Sequence, residues 1–239
     1  MGRRAALCAF LLLTASATAA KPKIPKAPKG GGWAAAQGSL LRFDRRGKLV
    51  DEVGIGEWDV ELEDGVILRQ RMRGGTSRDG RFAWHWQKLE TVKLGRTDEV
   101  LASTTTLSYL GTRGQTLWES SRADAPPEVS ILEQSHNGET FLVVERSTTG
   151  WDASVYTFTG NRIMGIRAAE RLEKVFLTEN GRYALVLWSA FRQPLIYSFL
   201  RLKNKRRKDL PAADAMLGHA ALREDGAVVS DGEILYRFP

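Results

Sequence analysis

The chain has 239 residues, 43% of them hydrophobic, and a formal net charge of +7; all-β units often reach this length as one domain, with apolar material enough for one core. Its single cysteine, Cys8, excludes disulfides and cysteine metal sites from everything beyond the first twenty residues. Outside Arg3 and Arg4, the lysines of 21–29 and the basic run Arg201, Lys203, Lys205, Arg206, Arg207 and Lys208, acidic residues outnumber basic ones, so the basic face that nucleic acid requires is not expected.

Residues 1–20 read as a secretory signal: Arg3 and Arg4 open it, Ala5 to Leu13 is its apolar centre, and Ala17-Thr18-Ala19-Ala20 offers small residues for cleavage. The apolar stretch is about half the ~20 residues that a membrane span needs, and no later segment could cross a bilayer. An exported protein, periplasmic or extracellular, is the expectation. Residues 21–32, KPKIPKAPKGGG, alternate Lys and Pro and end in three glycines, the composition of an extended and then flexible tether. Residues 33–239 form a single domain.

Leu40 to Val53 reads as two short strands about a turn at Asp44 to Gly47. A second hairpin follows, with Glu63-Asp64-Gly65 as its three-residue loop and Gly65 supplying the positive φ. This register sets Val60 opposite Leu68, Asp59 opposite Arg69 and Glu57 opposite Arg71, giving one apolar face and one face of cross-strand charge pairs. Asp59, Glu61 and Glu63 resemble a calcium or acid/base ladder, and the facing arginines favour a structural role for them instead.

A turn pattern then recurs four times: Ser77-Arg78-Asp79-Gly80, Ser135-His136-Asn137-Gly138, Thr178-Glu179-Asn180-Gly181 and Arg223-Glu224-Asp225-Gly226, each with an apolar run behind it. A second marker follows each turn, a tyrosine in an apolar strand: Tyr109, Tyr156, Tyr197 and Tyr236. Both markers repeat at about forty residues, the length of a four-stranded propeller blade. The first interval between turn glycines is longer by about the length of Val92 to Ser103, read as an insertion on one face. Pro126, Pro127 and Pro211 belong in connections, since proline cannot donate to a central ladder.

The turn followed by an apolar strand resembles the TolB-like β-propeller repeat, Ser-Pro-Asp-Gly and a basic residue. Ser77 to Arg81 and Thr178 to Arg182 match best, and none of the four copies has the proline. The resemblance covers about Ser77 to Pro239 and implies an all-β fold: a small propeller, five blades of four antiparallel strands, with four blades or an open β-meander as alternatives. The two N-terminal hairpins would form blade one, and Trp33 to Gln37 would complete the last blade and join the chain ends. Proteins with this repeat are mostly extracytoplasmic binding and scaffold proteins, so the resemblance carries fold further than activity.

Phe82, Trp84 and Trp86 alternate onto one face, where paired tryptophans either stack on a ligand or, more commonly, fill the space between sheets. Trp84, His85, Trp86 and Arg96 are the candidate ligand-binding residues; Lys203, Lys205, Arg206, Arg207 and Lys208 are candidates for an anionic partner. The histidines, His85, His136 and His219, lie on separate units without metal spacing, and no nucleophile elbow or phosphate loop occurs. No catalytic residue, metal or cofactor is expected. The expected function is a monomeric, non-enzymatic binding or scaffold protein acting through loops on one face toward a protein or envelope ligand. An exported carbohydrate-active enzyme and a binder of anionic envelope surfaces are the alternatives.

Overall fold

The structure, a computed structural model, describes residues 24–123, 129–147, 149–168, 171–189, 196–211, 221–230 and 233–238. Residues 1–23, with the segment expected to be a secretory signal, and Pro126, Pro127 and His219 lie outside these. The described residues contain strands and turns and no helix, arranged as five antiparallel sheets in chain order. The first joins β1 (Gly32–Ala36), β2 (Ser39–Phe43) and β3 (Leu49–Gly54). The second has five strands in the order β4 (Gly56–Glu61), β5 (Val66–Thr76), β6 (Ala83–Lys93), β7 (Glu99–Leu110) and β8 (Thr116–Ala123). The third contains β9 (Val129–Gln134), β10 (Thr140–Ser147), β11 (Gly150–Thr157) and β12 (Arg162–Ala168). The fourth contains β13 (Arg171–Leu177), β14 (Tyr183–Ser189), β15 (Ile196–Arg201) and β16 (Arg206–Pro211). The fifth is β17 (Ala221–Leu222), β18 (Ala227–Ser230) and β19 (Glu233–Arg237).

The apolar runs behind the turns follow from this order. A sheet with a neighbour on each face must be apolar on both, so its strands lose the usual alternation with polar residues. In β10, Phe141 and Val143 pack toward the five-stranded sheet with Phe82, Trp86, Leu107 and Tyr109. Their neighbours Leu142 and Val144 point the other way and pack with Val155, Ile166, Ala184 and Val186. The pattern repeats in β14, where Leu185 and Leu187 turn toward Tyr197, Phe199 and Val228. Trp33, Leu40, Ala83 and Leu110 fill the space between the first two sheets. Trp33 is 1% exposed, and its indole N–H donates to the Gly111 carbonyl at 2.9 Å.

Each recurring turn is built by its own polar residues. In the first, the Phe82 amide donates to Ser77 Oγ at 3.0 Å, Ser77 Oγ donates to Asp79 Oδ1 at 2.8 Å, and the Arg81 amide donates to the same carboxylate. Burial pushes the Asp79 carboxyl up, and the hydrogen bonds from Arg81 and Ser77 outweigh it, holding the group below its ordinary range. Ser135 with Asn137 and Thr178 with Asn180 repeat the arrangement. All four turn glycines have φ between 66° and 80°.

The turns also join the sheets. The Arg78 amide donates to the His136 carbonyl at 3.2 Å, and the His136 amide to the Glu179 carbonyl at 2.7 Å. The fourth turn has Arg223 in place of the hydroxyl residue, and there the Glu224 carboxylate accepts from the Glu179 and Asn180 amides. Tyr109 adds a bond from its hydroxyl to the Gly138 carbonyl at 2.7 Å, and burial raises its pKa.

Several expectations change. The two N-terminal hairpins do not share a sheet: β4 and β5 pair onward to β6, so the five-stranded sheet begins before the first recurring turn. The strand expected at Trp33 to Gln37 forms as β1 but pairs with β2, and among the described residues it makes no ladder with the last sheet. Its position is fixed from the second sheet, through the Trp33 indole and a backbone bond from the Trp33 amide to the Gly80 carbonyl at 2.7 Å. Pro28 packs so closely on Gly80 that a Cβ added to that glycine would meet Pro28 Cγ at 2.6 Å. Pro211 ends the edge strand β16 instead of lying in a connection, a position where a missing donor costs no ladder bond.

Candidate functional site

The five-stranded sheet outgrows its neighbours. Its strands β5, β6 and β7 have 11, 11 and 12 residues, against 6 to 8 for the strands of the third and fourth sheets. The turn ends are held level by the Arg78 to His136 bond, so the surplus emerges at the opposite end. At about 3.3 Å per residue, the extra three to five residues project roughly 10–15 Å. The segment Val92 to Ser103 is therefore the end of β6, a short loop and the start of β7, an insertion made of lengthened strands.

Six large apolar side chains lie exposed on this projection: Trp58, Val60, Leu62, Leu94, Val100 and Leu101, each 40–53% exposed. Only four others among the described residues are comparably exposed, Ile24, Val50, Phe158 and Ile234, and they are dispersed along the chain. The register read from the sequence holds, with Glu57 opposite Arg71, Asp59 opposite Arg69 and Val60 opposite Leu68. It gives the projection two unlike faces. One carries Trp58 and Val60 above Gln70 and Leu68, with the Trp58 indole lying across Gly54 and Gly56. The other is a ladder of ion pairs: Arg69 with Asp59 and Asp98, both at 3.5 Å, Arg71 with Glu57 at 3.9 Å, and Lys88 with the buried Glu90 at 2.8 Å. Partly exposed pairs of this kind contribute about 0–1 kcal/mol each. The apolar face turns toward the first sheet, where Leu40 lies against Gly74, and that sheet has only three strands, so β4 lies beyond its cover.

The candidate residues from the sequence fall in three places. Arg96 is exposed in the loop between β6 and β7, at the projecting end. Trp86 is 8% exposed in the cluster between the second and third sheets, with Trp84 half-buried beside it and Arg73 stacked 5.5 Å over the Trp86 ring. Neither the Trp86 indole nitrogen nor Arg71 Nε has a hydrogen-bond partner. His85 points to the other face, toward the first sheet. Burial lowers its pKa, against a hydrogen bond to the Gly54 backbone, and Nε2 is buried without a partner.

Of the five basic candidates, Lys203 and Lys205 lie in the turn after β15, and Arg206, Arg207 and Lys208 lie in β16, so only two of the five are in the loop. Arg207 is engaged: its Nε donates to Asp209 Oδ1 at 2.8 Å, and its guanidinium lies 5.5 Å over the Trp188 ring. Burial pushes the Asp209 carboxyl up, and the bonds from Arg207 and Ser198 hold it below its ordinary range. The remaining four are exposed. No group of three or more histidine, cysteine or acidic residues among the described residues is arranged to hold a metal. Two open clefts lie at the turn end, one of about 540 Å³ beside Arg42, Arg45 and Arg113 and one of about 660 Å³ beside Glu179, Glu224 and Asp225.

Sequence reasoning passed over Trp58, Val60, Leu62 and Leu94. The signal was present as acid–apolar alternation through Glu57 to Glu63, which is the same for a covered face and an open one.

No family model matches the chain, and no curated protein matches it. Among solved structures, the chain is similar to a prolyl endopeptidase at 10% identity and a TM-score of 0.36, over 75% of this chain and 41% of that one. It is similar to the Dos1 propeller at 9% identity and a TM-score of 0.36, over 84% of this chain and 74% of that one. It is also similar to prolyl oligopeptidase B from Galerina marginata at 11% identity and a TM-score of 0.35, over 80% and 42% of the two chains. The chain thus spans about two-fifths of each of the two peptidases.

Proposed function

We propose that the chain is an exported, non-enzymatic binding module of β-propeller type, whose protein partner docks on the projecting end of the five-stranded sheet. The observation that carries this reading is the gathering of Trp58, Val60, Leu62, Leu94, Val100 and Leu101 on one projection. Exposed apolar side chains gathered at one end of a sheet, beside charged residues, are characteristic of interaction sites. The loops and strand ends of the projection carry Glu61, Glu63, Asp64, Asp98 and Glu99 against Lys93 and Arg96, which favours a protein over an anionic lipid surface. The N-terminal twenty residues, read as a secretory signal, supply the exported setting.

A photo-crosslinking residue placed at Val60 and, as a control, at Arg113 near the turn end tests the proposal in envelope extract. Adducts are expected from position 60 and not from 113, and they should be lost when Trp58 and Leu94 are both changed to Ser. Equal adducts from the two positions, or adducts indifferent to the double substitution, would overturn it.

A further inference from the structure

The outer edge of β4 is open. It is the terminal strand of its sheet, and Glu57, Trp58, Asp59, Val60 and Glu61 are all exposed. Which backbone groups face outward follows from one bond. The Leu62 amide donates to the Val66 carbonyl at 2.8 Å, so Leu62 and Val66 form a bonded pair. Bonded and non-bonded pairs alternate along an antiparallel ladder. Val60 with Leu68 and Trp58 with Gln70 are therefore bonded pairs, while Glu57, Asp59 and Glu61 direct their N–H and C=O groups away from β5. These are also the three acidic residues of the strand, and Trp58 and Val60 occupy the opposite face.

This coincidence decides what can pair there. A second copy of β4, set antiparallel with matching faces, would bring carboxylate opposite carboxylate in every register, and like charges directly opposite are destabilising. The acids protect the edge against self-association. They do not protect it against a strand of the opposite sign. Arg69 and Arg71 lie across from Asp59 and Glu57, whereas Glu61 faces Ile67, and Glu63 and Asp64 follow in the exposed loop. A strand meant only to repel neighbours has no use for a 40%-exposed tryptophan and a 44%-exposed valine on its other face.

We propose that β4 accepts an added antiparallel β-strand from a protein partner, an extended segment in which basic residues alternate with apolar ones. This inference rests on the docking reading above and names the partner's chemistry. The basic side chains lie over Glu57, Asp59 and Glu61, the apolar ones lie beside Trp58 and Val60, and main-chain bonds to the three acidic residues supply the register. In a bonded antiparallel pair the two side chains share a face. The partner residues that exchange hydrogen bonds with β4 are therefore its basic ones, while the amides of its apolar residues face away.

The test uses an acetylated octapeptide of alternating Lys and Val, labelled for fluorescence polarisation, against the full chain. N-methylation of the Lys amides should weaken binding by more than about tenfold, since at least two backbone bonds are lost. N-methylation of the Val amides should change it by less than about twofold. Replacing Lys by Glu in the peptide should abolish binding, and Glu61→Pro, which removes an outward donor while leaving the β4–β5 bonds in place, should weaken it comparably. Failure of the Lys–Val peptide to bind, or equal effects of the two N-methylation patterns, overturns the strand-addition proposal. The peptide measurements hold even where Glu61→Pro is poorly folded. Crosslinking from Val60 that depends on Trp58 and Leu94 but is not displaced by the Lys–Val peptide would leave the docking surface standing and remove this partner class.

Discussion

Gly138 and Gly65 have nearly the same backbone conformation, φ 68° and 70°, in very different surroundings. An added Cβ at Gly65 meets nothing within 4 Å, while at Gly138 it meets Phe82 Cδ2 at 2.5 Å and Ser77 Cβ at 3.0 Å. Alanine at either position carries the left-handed penalty of about 1–2 kcal/mol. At Gly138 the methyl must also displace a ring that is 8% exposed and packed between two sheets, and overpacking of this kind costs about 1–3 kcal/mol more. Gly65→Ala should thus destabilise by about 1–2 kcal/mol and Gly138→Ala by about 2–5 kcal/mol. Urea unfolding followed by tryptophan fluorescence resolves the difference: at a slope near 2 kcal/mol/M, the midpoints should differ by about 0.5–1.5 M. Equal midpoint shifts for the two variants at unchanged slope would refute the claim that the turns are wedged against the preceding sheet.

Trp33→Phe keeps most of the buried ring and strands the Gly111 carbonyl; a loss of about 1–3 kcal/mol is expected in the same unfolding assay. His85 is held neutral by burial, below its ordinary value of 6.5. The unfolded chain therefore takes up a proton that the folded chain resists, so stability is full above about pH 6.5 and declines as pH falls below it. That decline should be smaller in His85→Gln, measured as unfolding free energy between pH 7.5 and 5. Ser77→Ala removes a donor to Asp79 and an acceptor for the Phe82 amide, so the Asp79 carboxyl should titrate higher by NMR, with a stability loss of about 0.5–1.5 kcal/mol.

Local chemistry was legible in the sequence and pairing partners were not. The loop at Glu63 to Gly65 and the Glu57–Arg71 and Asp59–Arg69 pairs could be read because charge alternation and a turn glycine fix a register within fifteen residues. The turn copies and their tyrosines located the later sheets for the same reason. The choice of which hairpin joins which sheet depends on long-range contacts. Ala34, Ala35 and Ala36 carry no register information, and β1 is placed by the bonds from Trp33 to Gly80 and Gly111. The exposed apolar residues were hidden differently: Trp58 and Val60 alternate like covered residues, and their exposure is decided by how far the first sheet extends.

The bonds that run from turn to turn make the molecule readable in sections. The amides of Arg78, His136 and Glu179 each find their acceptor on the following sheet, so each is released to solvent when one particular seam parts. Their deuterium uptake would measure three separate opening free energies along the row. A single common value would mark one cooperative body, and a graded series would mark sheets that detach in turn, as expected when units touch only their neighbours.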